Sequence, residues 1–178
     1  IRDRAKYHRP DLIESFRELA ETGCVEFLAM PYYASLSSLY STGEFAEQVN
    51  EHMDLIEELF GQRPTVLWNT GMLYSNAIAA QAYDMGFEGI MADGNSRMMS
   101  NRHTNDLQCA PLIAKTKTII RNRHLSNDLA NRRVDPSWSE YPLSPYTFAE
   151  WLGQQEGQVV NISLDYETLG ERQPDTTG

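Results

Sequence analysis

The sequence predicts a parallel (β/α) barrel-type fold, and three observations carry that expectation. Short apolar runs rich in β-branched residues alternate with stretches of helical period, separated by short turns. No glycine loop of the Gly-x-Gly-x-x-Gly or Gly-Lys-Ser/Thr kind is present, which sets an open nucleotide-binding sheet aside. Polar or aromatic residues (Tyr32, Asn69, Asp93, Asp165) follow the apolar runs, as the carboxyl-end mouth of a barrel requires.

Taken in order, Leu12, Ile13, Phe16, Leu19 and Ala20 recur at helical spacing over Pro10–Glu21, with Gly23 as the stop. Cys24–Ala29 reads as a strand, followed by an aromatic loop over Met30–Leu36. Ser41-x-x-Glu44 is a capping-box signature, and the helix behind it runs on Phe45, Val49, Met53, Ile56, Leu59 and Phe60 to Gly61. Pro64 turns the chain into the strand Thr65–Trp68, which ends at Asn69-Thr70-Gly71. Ser75 caps a helix over Asn76–Met85, stopped by Gly86. Gly89–Ala92 is the next strand and leads into Asp93-Gly94.

Asn95–Asp106 is polar enough to be a long loop. Leu107–Ile113 and Thr116–Arg121 are expected as short strands joined by a turn at Ala114-Lys115. Ser126-Asn127-Asp128 is expected to cap a short helix through Leu129 and Ala130, and Trp138–Pro145 is irregular. Thr147–Gln155 is the last helix, on Phe148, Trp151 and Leu152. Val159, Val160, Ile162 and Leu164 then mark a buried strand that changes character at Asp165-Tyr166-Glu167. Leu169-Gly170 interrupts the acidic run as an anchor and a turn, so the segment is expected to be a shaped loop carrying a site.

The 178 residues, 41% apolar and 22% charged, suit a globular domain or part of a larger one. Twenty-five acidic against fifteen basic residues leave a net charge of −10, which argues against nucleic acid or an anionic membrane as partner. Arg121, Arg123, Arg132 and Arg133 are interspersed with Asp128 and Asp135, a mixture that reads as an ion-paired face. Two cysteines, Cys24 and Cys109, and four separate histidines show no metal-ligand spacing, so no metal is expected. With no signal-peptide core and no apolar run near the roughly 20 residues that span a bilayer, a cytoplasmic location is expected. The lack of an initiator Met and the end at Gly178 suggest a segment of a longer protein.

Gly23-Cys24-Val25-Glu26-Phe27-Leu28-Ala29, Phe60-Gly61-Gln62-Arg63-Pro64, Asn69-Thr70, the run after Leu125 and Leu164-Asp165-Tyr166-Glu167-Thr168-Leu169-Gly170-Glu171 together resemble glycoside hydrolase family 57, in its α-amylase branch. The resemblance covers nearly the whole chain and keeps the motif order. It implies an incomplete, seven-stranded (β/α) barrel, of which residues 1–178 would be the central part, lacking both terminal parts. It further implies retaining hydrolysis or transfer of α-glucosidic bonds in α-glucan or an oligosaccharide, without a cofactor. Such chemistry uses two carboxyl groups about 5 to 5.5 Å apart, one as nucleophile and one as acid then base. By motif match Asp165 is the acid/base. The nucleophile glutamate of Asn-Thr-Glu-Leu is replaced here, since the chain reads Asn69-Thr70-Gly71-Met72.

Further positions depart from the branch. Its Glu-Thr-Tyr-Tyr-His-Ser-Leu has Met30 and Ala34 at the Glu and His positions, and the glutamate before Gly94 is the shorter Asp93. Tyr32, Gly71, Asp93 and Asp165 are expected on one rim. Trp68 and Trp138 suit stacking on sugar rings and equally suit a core. Asp128 and Arg132 match a Ser-Asp-Asp-Ile-Ala-Phe-Arg segment and are candidates for sugar hydroxyls or for an internal ion pair. Glu167 shares the face of Asp165 if strand geometry continues, and would then support the acid. Three functions remain open: an α-amylase-like glycosidase impaired at Gly71, an inactive homologue that binds carbohydrate or another protein, and an inverting enzyme using Asp93 and Asp165.

Overall fold

The computed structural model describes residues 9–94, 103–110, 113–168 and 171–173. Its helices are α1 (Pro10–Glu21), α2 (Thr42–Phe60), α3 (Asn76–Asp84), α4 (Arg123–Ala130) and α5 (Pro145–Gly153). Its strands are β1 (Val66–Trp68), β2 (Gly89–Asp93), β3 (Gln108–Ala110) and β4 (Ile113–Arg121), in the sheet order β1-β2-β4-β3. The chain divides into two compact units, Ile1–Met91 with Cys109–Lys117, and Ala92–Gln108 with Thr118–Gly178.

In the first unit β1 and β2 run parallel, with Leu67 opposite Ile90. Both are fully buried and join Ala29, Phe45, Val49, Met53, Ile78, Ala82 and Phe87 in one core. The apolar positions of α2 and α3 thus lie at helical spacing because one face of each helix packs on this parallel pair. The helix ends follow the sequence signals. Ser41 Oγ accepts the Glu44 amide at 3.2 Å, and Ser75 Oγ accepts that of Ile78 at 3.2 Å. Only half of the capping box forms, because the Glu44 carboxylate accepts from Gln48 Nε2 at 2.6 Å while the Ser41 amide donates to Ser37 O.

The expected strand at Cys24–Ala29 contracts to a single parallel bridge between Ala29 and Leu67. The reason is a side chain. Gln62 Nε2 donates to Ala20 O (3.2 Å) and Val25 O (2.9 Å), and its Oε1 accepts the Phe27 amide (3.4 Å). One carboxamide therefore supplies bonds that a neighbouring strand would have made. Phe27 stacks on Phe60 with centroids 4.3 Å apart.

The turn expected at Ala114-Lys115 is absent, because Ile113–Arg121 is one strand. Thr116, Thr118 and Ile120 are buried and Lys117 is exposed, so this polar stretch keeps the two-residue alternation of a half-buried strand. Only two residues separate β3 from its neighbour β4, too few for a parallel crossover, so this pair is antiparallel and the sheet is mixed.

In the second unit, the expected strand at Val159–Leu164 also contracts to one bridge, Asn161 parallel to Arg121. Helix α4 begins four residues earlier than the Ser126 cap implied. Asn122 Oδ1 accepts the Leu125 amide at 3.1 Å and is the cap, and Ser126 lies inside the helix. Helix α5 likewise starts at Pro145, with Ser144 Oγ accepting the Thr147 amide at 3.0 Å. Of the polar segment Asn95–Asp106, positions 95–102 lie outside the described residues, as do Leu169 and Gly170. No described helix is long and apolar enough to cross a membrane.

One half-buried histidine makes the first unit sensitive to acid. Burial on α2 pushes the His52 imidazole below its ordinary range, and its Nδ1 has no hydrogen-bond partner among the described residues. The unfolded chain therefore binds that proton more readily than the folded one, so the contribution is intact above about pH 6.5 and is lost as pH falls below it. Urea midpoints measured between pH 7.5 and 5 should decline less in His52→Gln than in the parent. Identical declines would assign the acid sensitivity elsewhere.

Candidate active site

The first unit supplies two loops that follow parallel backbone at its carboxyl end. One is the Met30–Leu36 loop beyond the Ala29 bridge. There Tyr32 is partly buried and meets the exposed Tyr33 edge-on, with ring centroids 5.0 Å apart. Ala34 has φ +50°, left-handed for a residue with a Cβ. The other loop is Asn69–Leu73, beyond β1.

Asn69 organises that second loop. It is fully buried, and its Nδ2 donates to Ser38 Oγ and to Leu73 O, each at 3.0 Å, while its Oδ1 accepts the Thr70 amide at 3.0 Å. The carboxamide so closes its own turn and ties it to the Ser37–Leu39 helical turn. Gly71 (φ +63°) and Met72 (φ +52°) are consecutive left-handed residues inside this turn. A Cβ at Gly71 would meet nothing within 4 Å. Space for a larger side chain exists there, and the limitation is the backbone conformation. Trp68, the last residue of β1, is half-buried, its amide bonded to Ala29 O at 2.8 Å.

The second unit holds the carboxylates. Asp93 ends β2, with Arg123 Nε 3.5 Å and Arg121 Nη1 3.8 Å from its Oδ1. These are ion pairs without a hydrogen bond, since Oδ1 has no such partner among the described residues. Arg121 is anchored by Nη2 donating to Asn127 Oδ1 at 3.0 Å. A carboxylate between two guanidinium groups is suited to fixing charge more than to activating water. Asp128 and Arg132 form the internal ion pair, 3.0 Å apart. Trp138 packs edge-on against Trp151, with centroids 6.0 Å apart, which places it in an aromatic cluster of this unit.

Asp165 lies four residues beyond the Asn161 bridge and is exposed, with Arg172 Nη1 at 2.6 Å from Oδ2. Strand geometry does not continue into Glu167. Tyr166–Thr168 is a 3-10 turn in which the Thr168 amide donates to Asp165 O at 2.9 Å. The expectation that Glu167 shares the face of Asp165 through a strand period therefore fails, and Glu167 is exposed.

Sequence reasoning missed the side chains around this segment. Asn105, Asn122 and Gln155 form an amide cluster. In it Asn122 Nδ2 donates to Asn105 Oδ1 (3.1 Å) and to Gln155 Oε1 (3.2 Å), and Asn105 Nδ2 donates to Glu156 O (2.9 Å). Asn105 O accepts the amides of Gln158 and Val159 at 2.8 and 2.9 Å. Gly157 (φ +110°) sits so close that a Cβ would fall 2.6 Å from that of Asn105, which excludes any other residue. Asn122 does carry the signal that singled out Asn69, a polar residue just past a strand. Among the described residues no group of three or more His, Cys, Asp or Glu gathers to hold a metal.

The model of the family described as "Glycosyl hydrolase family 57" matches residues 3–178. Over 168 residues the chain is 38% identical to a curated protein of Methanocaldococcus jannaschii named "Putative alpha-amylase", covering 94% of this chain and 36% of that one. Solved structures share the fold. The 4-alpha-glucanotransferase of Thermococcus litoralis superposes with TM-score 0.63 at 14% identity, over 73% of this chain and 21% of its own. An alpha-amylase of Thermotoga maritima gives 0.59 at 14% identity, over 74% and 26%. A GH57-type branching enzyme of Pyrococcus horikoshii gives 0.56 at 18% identity, over 71% and 27%. The chain thus spans little more than a third of the curated relative's length.

The Asn69 turn yields a stability test. Gly71→Ala should cost roughly 1–2 kcal/mol through the left-handed backbone alone, because its Cβ meets nothing. Met72→Gly should gain up to about 1 kcal/mol by relieving the same conformation, and Asn69→Ala should lose on the order of 1–3 kcal/mol by stranding buried partners. Urea denaturation measures all three. A Gly71→Ala protein as stable as the parent would rule out the left-handed turn.

Proposed function

Because the chain belongs to glycosyl hydrolase family 57, we propose that it forms the central part of an α-amylase-like catalytic barrel of seven strands acting on α-glucan, with Asp165 as acid/base and Gly71 in the place of the nucleophile. Tyr32, Gly71, Asp93 and Asp165 share one rim in this reading. Tyr32, Trp68, Asp93, Asp128, Arg132 and Trp138 serve as sugar contacts or hold those contacts in place. The observation that carries it is the placement of Asp165 just past backbone paired in parallel with β4, in an exposed, closed turn.

Hydrolysis by this protein is impaired. Protonation of the departing oxygen by Asp165 remains available, but no carboxylate at position 71 attacks the anomeric carbon, so the covalent intermediate that divides the reaction into two easier steps does not form. The absent glutamate also supports a second reading, a carbohydrate-binding or interaction protein that keeps the barrel without turnover. The pairing of Asp93 with Arg121 and Arg123 weighs against the inverting route, in which Asp93 would have to activate water.

In the full-length protein, turnover of α-glucan should fall well below the usual enzymatic scale of roughly 1 to 10³ per second. With an aryl α-glucoside, azide should enter beside Gly71 and attack C1 from the nucleophile's side as the C1–O bond breaks, giving a β-glucosyl azide and the released phenolate. Gly71→Glu should restore part of the retaining reaction, and Asp165→Asn should depress it on substrates whose leaving group needs a proton. Bound glucan with no turnover under azide or in Gly71→Glu would favour the binding-protein reading.

A further inference from the structure

We propose that helix α4 is the platform that sets Asp165, with Ser126 and Gln173 as positioning residues on either side of it. This rests on the reading of Asp165 as the acid/base and adds what aims it. The Asp165 side chain is two-thirds exposed, and its ion pair to Arg172 belongs to its own loop, so that pair fixes no position outside the loop. Residues 162–165 belong to no strand of the sheet. The aim of the carboxyl must come from the flanks.

Both flanks end on α4. Ser126, fully buried on the helix, accepts the Ser163 amide on its Oγ at 3.1 Å, two residues before Asp165. One residue pair further back, the Asn122 amide at the helix cap donates to Asn161 O at 2.7 Å. On the far side Gln173, also buried, donates from Nε2 to Leu129 O (3.0 Å) and Ala130 O (2.8 Å), the final carbonyls of the helix. Its Oε1 accepts from Arg133 Nε at 3.0 Å, which orients the amide.

The last carbonyls of a helix have no partner within it, so Gln173 meets a need of α4 while it closes the loop. Buried Thr168 holds the turn between, its amide on Asp165 O. Ser126 and Gln173 are buried, unlike Asp165, and neither bond competes with water. A catalytic group displaced by about 1 Å loses on the order of 10²-fold in rate. A clamp at both ends of the segment is the means by which this loop holds an exposed acid still.

The test uses the full-length protein carrying Gly71→Glu. Turnover is measured on an unactivated maltooligosaccharide, whose leaving group needs a proton, and on a nitrophenyl α-maltoside, whose leaving group does not. Ser126→Ala and Gln173→Ala should each lower kcat/KM on the first at least tenfold and leave kcat/KM on the second within about twofold. The reason is that kcat/KM reports the step in which Asp165 acts as acid and not the later one in which it acts as base. Ser126→Thr, which keeps the hydroxyl, should recover most of the loss. Ser75→Ala, which removes the cap of α3 and destabilises through a different helix, should show no such selectivity. In parallel, amide hydrogen exchange across residues 163–168 should quicken in Ser126→Ala and Gln173→Ala.

Equal effects on both substrates in folded variants, or none, would overturn the proposal, as would unchanged exchange across 163–168. If Asp165→Asn itself shows no leaving-group selectivity, or Gly71→Glu no turnover, the acid/base reading falls. Exchange alone then decides the clamp.

Discussion

Backbone groups that leave water must be paired, and where its strands shrink to single bridges this chain meets that demand with side-chain carboxamides. Where a strand would normally lie against a neighbour, the described chain offers single bridges at Ala29 and Asn161. Gln62 serves the approach to the first, and Asn105 and Asn122 serve the approach to the second. Asn69 and Gln173 do the same for the turns that follow. A carboxamide suits this work because it donates and accepts at once and carries no charge to desolvate. The short strands and the buried amides are two sides of one arrangement.

That arrangement decides where the molecule is rigid and where it is strained. The supports beneath Asn69 and Asp165 are buried, whereas Gly71 and Asp165 themselves are exposed. Left-handed backbone at Ala34 and Met72 falls on the loops that follow Ala29 and β1, where the resemblance placed two missing polar groups. Loops that keep a costly conformation are held by their surroundings, here by the Asn69–Ser38 bond.

Elements defined by local signals were legible in the sequence. Serines 41 and 75, Gly61 and the apolar period of α1 to α3 each specify a helix end or a buried face without help from distant residues. The parallel pair β1–β2 followed from apolar runs and turns. What could not be read depends on partners far along the chain. Asn122 and Ser126 both head plausible cap sequences, and only the burial of Ser126 against Ser163 distinguishes them. Ala114-Lys115 reads locally as a turn between two short strands and lies inside one strand, Ile113–Arg121. The identities of Asp165 and Gly71 as site positions came from motif resemblance. The residues that hold Asp165 lie some 40 positions from their partners and carry no local signature.

Reliance on buried carboxamides also sets how this protein ages. Asn and Gln are thermolabile, and hydrolysis of a side-chain amide replaces an NH₂ donor with a carboxylate. At Gln62 that oxygen would face Ala20 O and Val25 O, the two carbonyls that now receive its protons, turning two attractions into repulsion. At Gln173 the same change would set a negative charge against the negative end of α4. Slow chemical damage would therefore strike first at the joints between elements, while the apolar core around Leu67 and Ile90 stayed intact.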